Sequence, residues 1–309
     1  MALKDEAREV IFEEIGGARK VILNRSKKLN TLNYEMLRKM YEKLKAYEND
    51  PIVKLVILKV FAMPEVLIGL FPDVGASYFL SRLPGFFGEY VGLTGARLNG
   101  VDMLAFGLGT HFIPSKSIIS MENSLEKMIA SSDSPSVATM SMIINEFAQE
   151  VNVKRDSAYS RLDMVNQCFC GESCEEILRS LECLALQTQD KWVHEAITSM
   201  KSANPIGLKI FLKTIREGRS KNIKQCLETE YVGISHLLGR TISNNFYEGS
   251  RAMLIDKDKK PQWLPSKLED VSDEMVAKCL SRSFSDDDDW LPLQLPSRSS
   301  RTEVLTSKL

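Results

Sequence analysis

Two carboxylates, Glu65 and Asp73, sit eight positions apart in the stretch FAMPEVLIGLFPDVGASYFL, residues 61–80. Glu65 is flanked by Met63, Pro64, Val66 and Leu67. Burial of a carboxylate in such company without a partner is costly, so its plainer reading is a charge at a strand end. Asp73 stands in Pro72-Asp73-Val74-Gly75, just ahead of a helical pattern. There the plainer reading is an N-cap that satisfies free helix N–H groups. A chemical reading exists beside the plain ones, and for Asp73 both can hold at once. Two nearby carboxyl groups can divide acid, base and nucleophile roles, because their environments push their pKa values apart.

Three other groups carry possible chemistry. Arg25, Lys27 and Lys28 lie in a polar loop, 24–30. They read as a solvated loop or, in the sharper reading, as partners for phosphate oxygens. Ser307-Lys308-Leu309 reads as a receptor-recognised peroxisomal address, with an import receptor as its partner. Cys168, Cys170, Cys174 and Cys183 cluster, but they form no pair of C-x2-C knuckles and His194 is the only nearby histidine. That spacing does not support zinc, so these read as reduced thiols. A disulfide framework is equally unsupported in a chain this long with no secretory signal.

Bulk properties narrow the field. The chain has 309 residues and 44% apolar content, enough for one large core or two ordinary ones. Forty basic side chains face 41 acidic ones, so no general field favours nucleic acid or an anionic membrane, and any phosphate site must be local. No apolar run reaches the length of a membrane span. Met1–Arg8 is charged, with no apolar secretory segment behind it.

The elements that must position these residues follow from periodicity. Val10–Glu14 and Ala18–Leu23 read as strands around Gly16-Gly17, which suits a hairpin turn. Thr31–Tyr47 carries apolar residues at helical spacing, and Asn49-Asp50-Pro51 ends it. Val53–Val60 suits a strand buried on both faces. Strand, helix and buried strand in this order predict an α/β core with parallel pairing. Phe61–Ile68 is again apolar and forms with it either one long strand or a kinked extension, and Asp73–Leu83 reads as a helix. Short helices are expected around 88–93 and 100–106. Beyond Ser115 helix follows helix, broken at 131–136, with Pro205–Glu217 and Ile223–Leu238 the clearest. Ser283–Ser300, with its Asp286–Asp289 run, reads as a solvated tail. Three regions are therefore expected: a core over 1–115, a helical region over 116–282 and a flexible tail over 283–309.

Several segments resemble the crotonase (enoyl-CoA hydratase/isomerase) superfamily. Leu23-Asn24-Arg25 with Leu29-Asn30 resembles its opening strand and CoA-binding loop. The segment 61–80, with Pro64-Glu65 and then Phe71-Pro72-Asp73-Val74-Gly75, resembles the 3-hydroxyisobutyryl-CoA hydrolase branch, plant peroxisomal type. Leu93–Arg97, Ala105–His111 and Arg251–Trp263 (RAMLIDKDKKPQW) continue the match. The resemblance implies a crotonase-like α/β fold with a helical C-terminal half. It implies hydrolysis of the acyl-CoA thioester in valine breakdown, with Glu65 as principal catalytic carboxylate and Asp73 as its partner. Arg25, Lys27 and Lys28 would face coenzyme A, which is part of the substrate, so no metal or separate cofactor is implied. A homo-oligomer is common in the superfamily.

One departure from the family stands out. There, a strand like the one ending at Val60 leads into a Cys-Ala-Gly-Gly-Asp-type loop, a helix, another strand and a Gly-Gly-Gly turn. Here Val60 joins Phe61 directly. The resemblance implies that a block carrying both backbone donors of the oxyanion hole is missing, and that the sheet core is incomplete. Losing one such donor costs about 3 kcal/mol of transition-state stabilisation. An N–H near Gly75 or Ala76, at a helix start that attracts anions, could help in part, though nothing in the sequence arranges it to reach the carbonyl. The rival readings are a non-catalytic form that keeps acyl-CoA or subunit contacts, and a hydratase or isomerase of the same superfamily.

Overall fold

The structure is a computed structural model that describes residues 9–15, 18–23, 62–130, 136–150, 159–282 and 293–295, together with 35, 38, 39, 42, 43 and 46. Two strands open it: β1 (Val10–Ile15) and β2 (Ala18–Leu23), antiparallel, with Val10 opposite Leu23 and Ile15 opposite Ala18. The hairpin read from the sequence is therefore present. Its Gly16-Gly17 turn, the loop at 24–30 and the buried strand expected over Val53–Val60 lie outside the described residues. So do the residues that would join Val60 to Phe61.

Residues 35, 38, 39, 42, 43 and 46 are helical, as the periodicity of 31–47 requires. Arg38 sits between Glu35 (2.8 Å) and Glu42 (2.6 Å) on the exposed face. Pairs at this spacing support a helix only weakly, because both partners stand in solvent.

From residue 76 on, the longer regular elements among the described residues are α-helices. They are α1 (Ala76–Phe79), α2 (Phe87–Thr94), α3 (Gly100–Ala105), α4 (Ser115–Ala130), α5 (Val137–Phe147), α6 (Leu162–Phe169), α7 (Cys174–Ala185), α8 (Lys191–Ser202), α9 (Pro205–Gly218), α10 (Ile223–Leu238), α11 (Asn245–Ser250) and α12 (Asp273–Cys279). The helical C-terminal half and the two clearest late helices match the sequence reading to within a residue. The chain divides into two compact units that interleave along the sequence, 1–59 with 109–151, and 60–108 with 152–309.

In the first unit, α4 and α5 bury Met121, Leu125 and Met140 against Ile113, Ile144 and Phe147. Ser136 starts α5 by accepting the Thr139 N–H at 3.0 Å. The second unit is built around α9. Ile206, Leu208, Ile210, Phe211 and Ile215 on this helix are fully buried, so it is apolar nearly all round. Its start combines Asn204 as N-cap with Pro205 in the first turn, where the missing N–H costs nothing. Helices α1, α2, α7, α10 and α12 pack around it.

Two expectations near the carboxylates need correction. Residues 65–68 do not extend a strand; Glu65–Ile68 is a 3-10 helix. Gly69 ends it in the left-handed conformation (φ +86°), donating its N–H to the Glu65 carbonyl. A glycine in that conformation punctuates an apolar run that periodicity alone reads as extended. Nor is 73–83 one helix: α1 begins only at Ala76, and Leu80–Arg82 continues it as a 3-10 turn.

Candidate active site

Glu65 opens its 3-10 helix at a place fixed by two helices distant in sequence. Asn204, the cap of α9, donates its N–H to the Val66 carbonyl at 2.9 Å. Gly207 on α9 packs on the Leu70 carbonyl, and Gly249 on α11 packs on the Ile68 backbone, so closely that a Cβ at either glycine meets backbone atoms. A buried amide chain ties the two helices together. Asn245 donates to Asn204 Oδ1 at 2.8 Å and accepts the Leu264 N–H at 2.9 Å. Backbone packed on backbone leaves little room for Glu65 to shift.

The Glu65 side chain is thereby held in an apolar setting, and its Oε2 atom is buried without a hydrogen-bond partner. Burial pushes this carboxyl from the usual range up to about 7; the residue's own backbone N–H draws it back and the charge of Asp73 adds to the rise. Asp73 is also half-buried, and burial raises it to about 6, again held back by its own backbone N–H. The charge of Asp73 thus reaches Glu65, and burial raises both carboxyls. Near pH 7 Asp73 is mostly charged and Glu65 is poised between its two forms, the condition for a base or nucleophile working at neutral pH.

The turn that carries Asp73 is unusual. Its carbonyl accepts the Ala76 N–H at 3.0 Å, closing a four-residue turn over Val74 and Gly75. Both central residues have positive φ, +53° at Val74 and +93° at Gly75. Glycine adopts this at little cost, whereas a β-branched residue is strained by about 1–2 kcal/mol. Val74 is also 73% exposed, so packing does not hold it there.

The backbone on either side of Ala76 is bound by Glu230. This side chain comes from α10, is 1% exposed, and takes three donors with its carboxylate. The Gly75 N–H reaches it at 2.6 Å, the Ser77 N–H at 2.8 Å and the Ser77 hydroxyl at 2.5 Å. Burial raises the Glu230 carboxyl, the three donors hold it back, and the charge of Asp73 adds to the rise. The expectation that Asp73 caps the helix is therefore corrected: α1 has Gly75 as N-cap and no side-chain cap of its own. A carboxylate from 155 residues downstream takes that role. One signal for it was present in the sequence. Cys226, Glu230, Gly233 and Leu237 form the buried stripe of α10, so the charge sits at an apolar position.

The same bonds remove the stand-in proposed for the oxyanion donors. The Gly75 N–H is committed to Glu230 and the Ala76 N–H to the Asp73 carbonyl. Arg25, Lys27, Lys28 and the Ser307-Lys308-Leu309 terminus lie outside the described residues. Cys168 is pushed up to about 11 and Cys174 and Cys279 to about 12, by burial first, so all three stay protonated at neutral pH. Among the described residues no cluster of His, Cys, Asp or Glu is placed to hold a metal ion.

Comparisons with known proteins bear on this site. A family model described as enoyl-CoA hydratase/isomerase matches residues 18–60 and 58–280, two segments that overlap over 58–60. The protein named 3-hydroxyisobutyryl-CoA hydrolase 1 of Arabidopsis thaliana is 38% identical over 377 aligned positions, covering 97% of this chain and 98% of that protein. That alignment is longer than the chain itself, so it runs through positions this chain does not fill. A second relative, named small ribosomal subunit protein mS47 of Arabidopsis thaliana, is 39% identical over 77% of this chain and 57% of its own length. Among solved structures, a carnitinyl-CoA dehydratase from Mycobacterium thermoresistibile shares the fold, with TM-score 0.72 and 22% identity over 89% of this chain and 97% of that one.

Proposed function

Because the chain belongs to the enoyl-CoA hydratase/isomerase family, we propose that its site serves hydrolysis of the thioester of 3-hydroxyisobutyryl-CoA, the step that yields 3-hydroxyisobutyrate and free coenzyme A in valine catabolism. The observation that carries this reading is Glu65 Oε2, buried, unpartnered and raised to about 7 in the field of a second carboxylate. An orphaned buried oxygen is costly, and such cost is characteristic of reactive sites.

In this reading the Glu65 carboxylate attacks the thioester carbon, or takes a proton from the water that does. The C–S bond breaks, coenzyme A leaves as the thiol, and water supplies the new carboxyl oxygen and the proton for sulfur. Asp73, charged at neutral pH, orients the water or the 3-hydroxyl. Arg25, Lys27 and Lys28 would meet the phosphates of coenzyme A. The terminal Ser307-Lys308-Leu309 would direct the protein to peroxisomes through an import receptor, and the working form would be a homo-oligomer.

The tetrahedral oxyanion sets the rate of such a reaction. A block between Val60 and Phe61 is absent in our reading, and the break of the family match into two segments that overlap over 58–60 supports this. Both nearby amides at the start of α1 are occupied. One lost donor slows turnover by a factor on the order of a hundred to a thousand, and two cost more without adding. This chain is then a slow hydrolase. A second reading, a non-catalytic protein that keeps family contacts, draws support from those occupied amides and from a relative whose name is that of a ribosomal subunit protein.

The deciding experiment is steady-state hydrolysis of 3-hydroxyisobutyryl-CoA by the purified chain and by a version carrying the block restored between Val60 and Phe61. The hydrolase reading expects activity in both, with the restored version faster by the factor above. Hydrolysis absent from both, with cooperative melting retained, supports the non-catalytic reading. Equal rates would refute the role given to the block.

A further inference from the structure

The geometry points to a third acidic residue in the site's machinery, and the inference rests on the hydrolase reading above. We propose that Glu230 is a positioning residue: by binding the Gly75 and Ser77 amides and the Ser77 hydroxyl, it holds the Asp73–Ala76 turn in its left-handed form and so sets where Asp73 meets the substrate.

Four observations converge on this. The carboxylate of Glu230 is 1% exposed and makes all its bonds to the two residues flanking Ala76, none to its own helix. The turn it grips contains Val74 at φ +53°, a conformation that valine abandons unless its surroundings impose it. Val74 is exposed, so the imposing group must act through the neighbouring backbone. Finally, the charge of Asp73 adds to the rise that burial imposes on the Glu230 carboxyl, so the turn's acid reaches the group that anchors it. Asp73 in turn acts on Glu65. Glu89, whose side chain is 1% exposed, pairs with a cation, Arg219 at 2.6 Å. Glu230 instead meets backbone donors of a strained turn.

The inference makes a specific demand: relieving the strain at residue 74 should substitute for the anchor. In Glu230→Gln one side-chain oxygen is replaced by an amide NH2, which faces a backbone donor and breaks part of the grip. The turn should then relax toward ordinary φ at Val74. In Val74→Gly/Glu230→Gln, glycine adopts positive φ freely and the turn should return. Wild type, Val74→Gly, Glu230→Gln and the double variant are compared as full-length chains. Two readouts are taken: hydrolysis of 3-hydroxyisobutyryl-CoA, and hydrogen exchange of the Ala76 amide, whose bond to the Asp73 carbonyl closes the turn.

Glu230→Gln should lower kcat by roughly tenfold to a hundredfold with KM little changed, since the acid is displaced rather than the substrate lost. It should also expose the Ala76 amide to exchange. The double variant should recover most of both. A structural role alone would lower the melting temperature in both Glu230→Gln proteins without any rescue of kcat or of Ala76 protection by glycine at 74. Unchanged Ala76 protection in Glu230→Gln, or a loss that Val74→Gly does not reverse, overturns the proposal. Should Glu230→Gln not melt cooperatively, Ser77→Ala, which removes one of the three donors, carries the same comparison with and without Val74→Gly. Absence of hydrolysis in the wild type would sink the hydrolase reading, while Ala76 exchange still decides whether Glu230 holds the turn.

Discussion

Replacing Glu65 with glutamine should stabilise the protein increasingly as pH rises. The native carboxyl titrates at about 7 and the unfolded one near 4.5. A value raised by folding means that the native state keeps a proton which the unfolded state has already lost. The associated stability is fully present below about 4.5 and is lost as pH climbs through about 7. A rise from 4.5 to about 7 corresponds to about 3 kcal/mol at the usual conversion of ~1.4 kcal/mol per unit. Water reaching the half-buried carboxyl lowers that, to about 1–3 kcal/mol. Glutamine is neutral throughout and escapes this loss. At about 2–4 °C per kcal/mol for a unit of this size, the melting temperature of Glu65→Gln should gain roughly 2–12 °C on wild type between pH 4.5 and 8. Any fixed offset from the new amide at the Oε2 position drops out, because only the change with pH is read. Calorimetric melts of both proteins across pH 4.5–8.5 at constant ionic strength make the measurement. Asp73 titrates in both proteins and contributes the same sign. A melting difference that stays flat across that range would show that Glu65 ionises as an ordinary surface carboxyl, and the argument from its orphaned oxygen would fall.

Three further outcomes follow from the same geometry. Glu65→Gln should abolish measurable thioester hydrolysis while Asp73→Asn retains part of it, because asparagine can still orient water and burial, the main cause of the raised Glu65 carboxyl, is unchanged; equal turnover in Glu65→Gln and wild type would remove Glu65 from the mechanism. Gly249→Ala should cost about 1–3 kcal/mol by pushing α11 off the Ile68 backbone, and should move the Glu65 titration followed by carboxyl NMR; a melting temperature within error of wild type would contradict the close packing described. A fluorescent protein fused ahead of the last residues of the chain should be punctate and peroxisomal, and deletion of Leu309 should disperse it; an unchanged pattern means that Ser307-Lys308-Leu309 is not the address.

The strands at 10–23 and the helices from 205 to 238 were legible because their periodicity is local and their ends carry ordinary signals, such as Asn204-Pro205 and Asn222. The two acids were singled out as candidates through their motif, Pro64-Glu65 and Phe71-Pro72-Asp73. What surrounds them was not. The 3-10 helix at 65–68 depends on Gly69 turning left-handed against Asn245, a partner far along the chain. The late start of α1 depends on Glu230 taking the amides of Gly75 and Ser77, so a local rule that offers Asp73 as a cap picks the wrong carboxylate. Local rules assign a cap from neighbours in sequence; here the cap comes from another helix. A charge on the apolar stripe of α10 was the one clue, and it becomes informative only once the helix is known to be buried there.

The clamp on Glu65 has a consequence for the birth of the protein. Residues 65–70 are seated by Gly207 and by Gly249, and the turn at Asp73 is gripped by Glu230. None of these exists when the two acids first leave the ribosome. At about 5–20 residues per second, roughly ten to forty seconds pass before position 249 is made. During that interval Glu65 and Asp73 ride in water as ordinary carboxylates, fully charged and unreactive. The nascent chain therefore carries its most costly residues in their most soluble form, and the site comes into being only when synthesis is nearly complete.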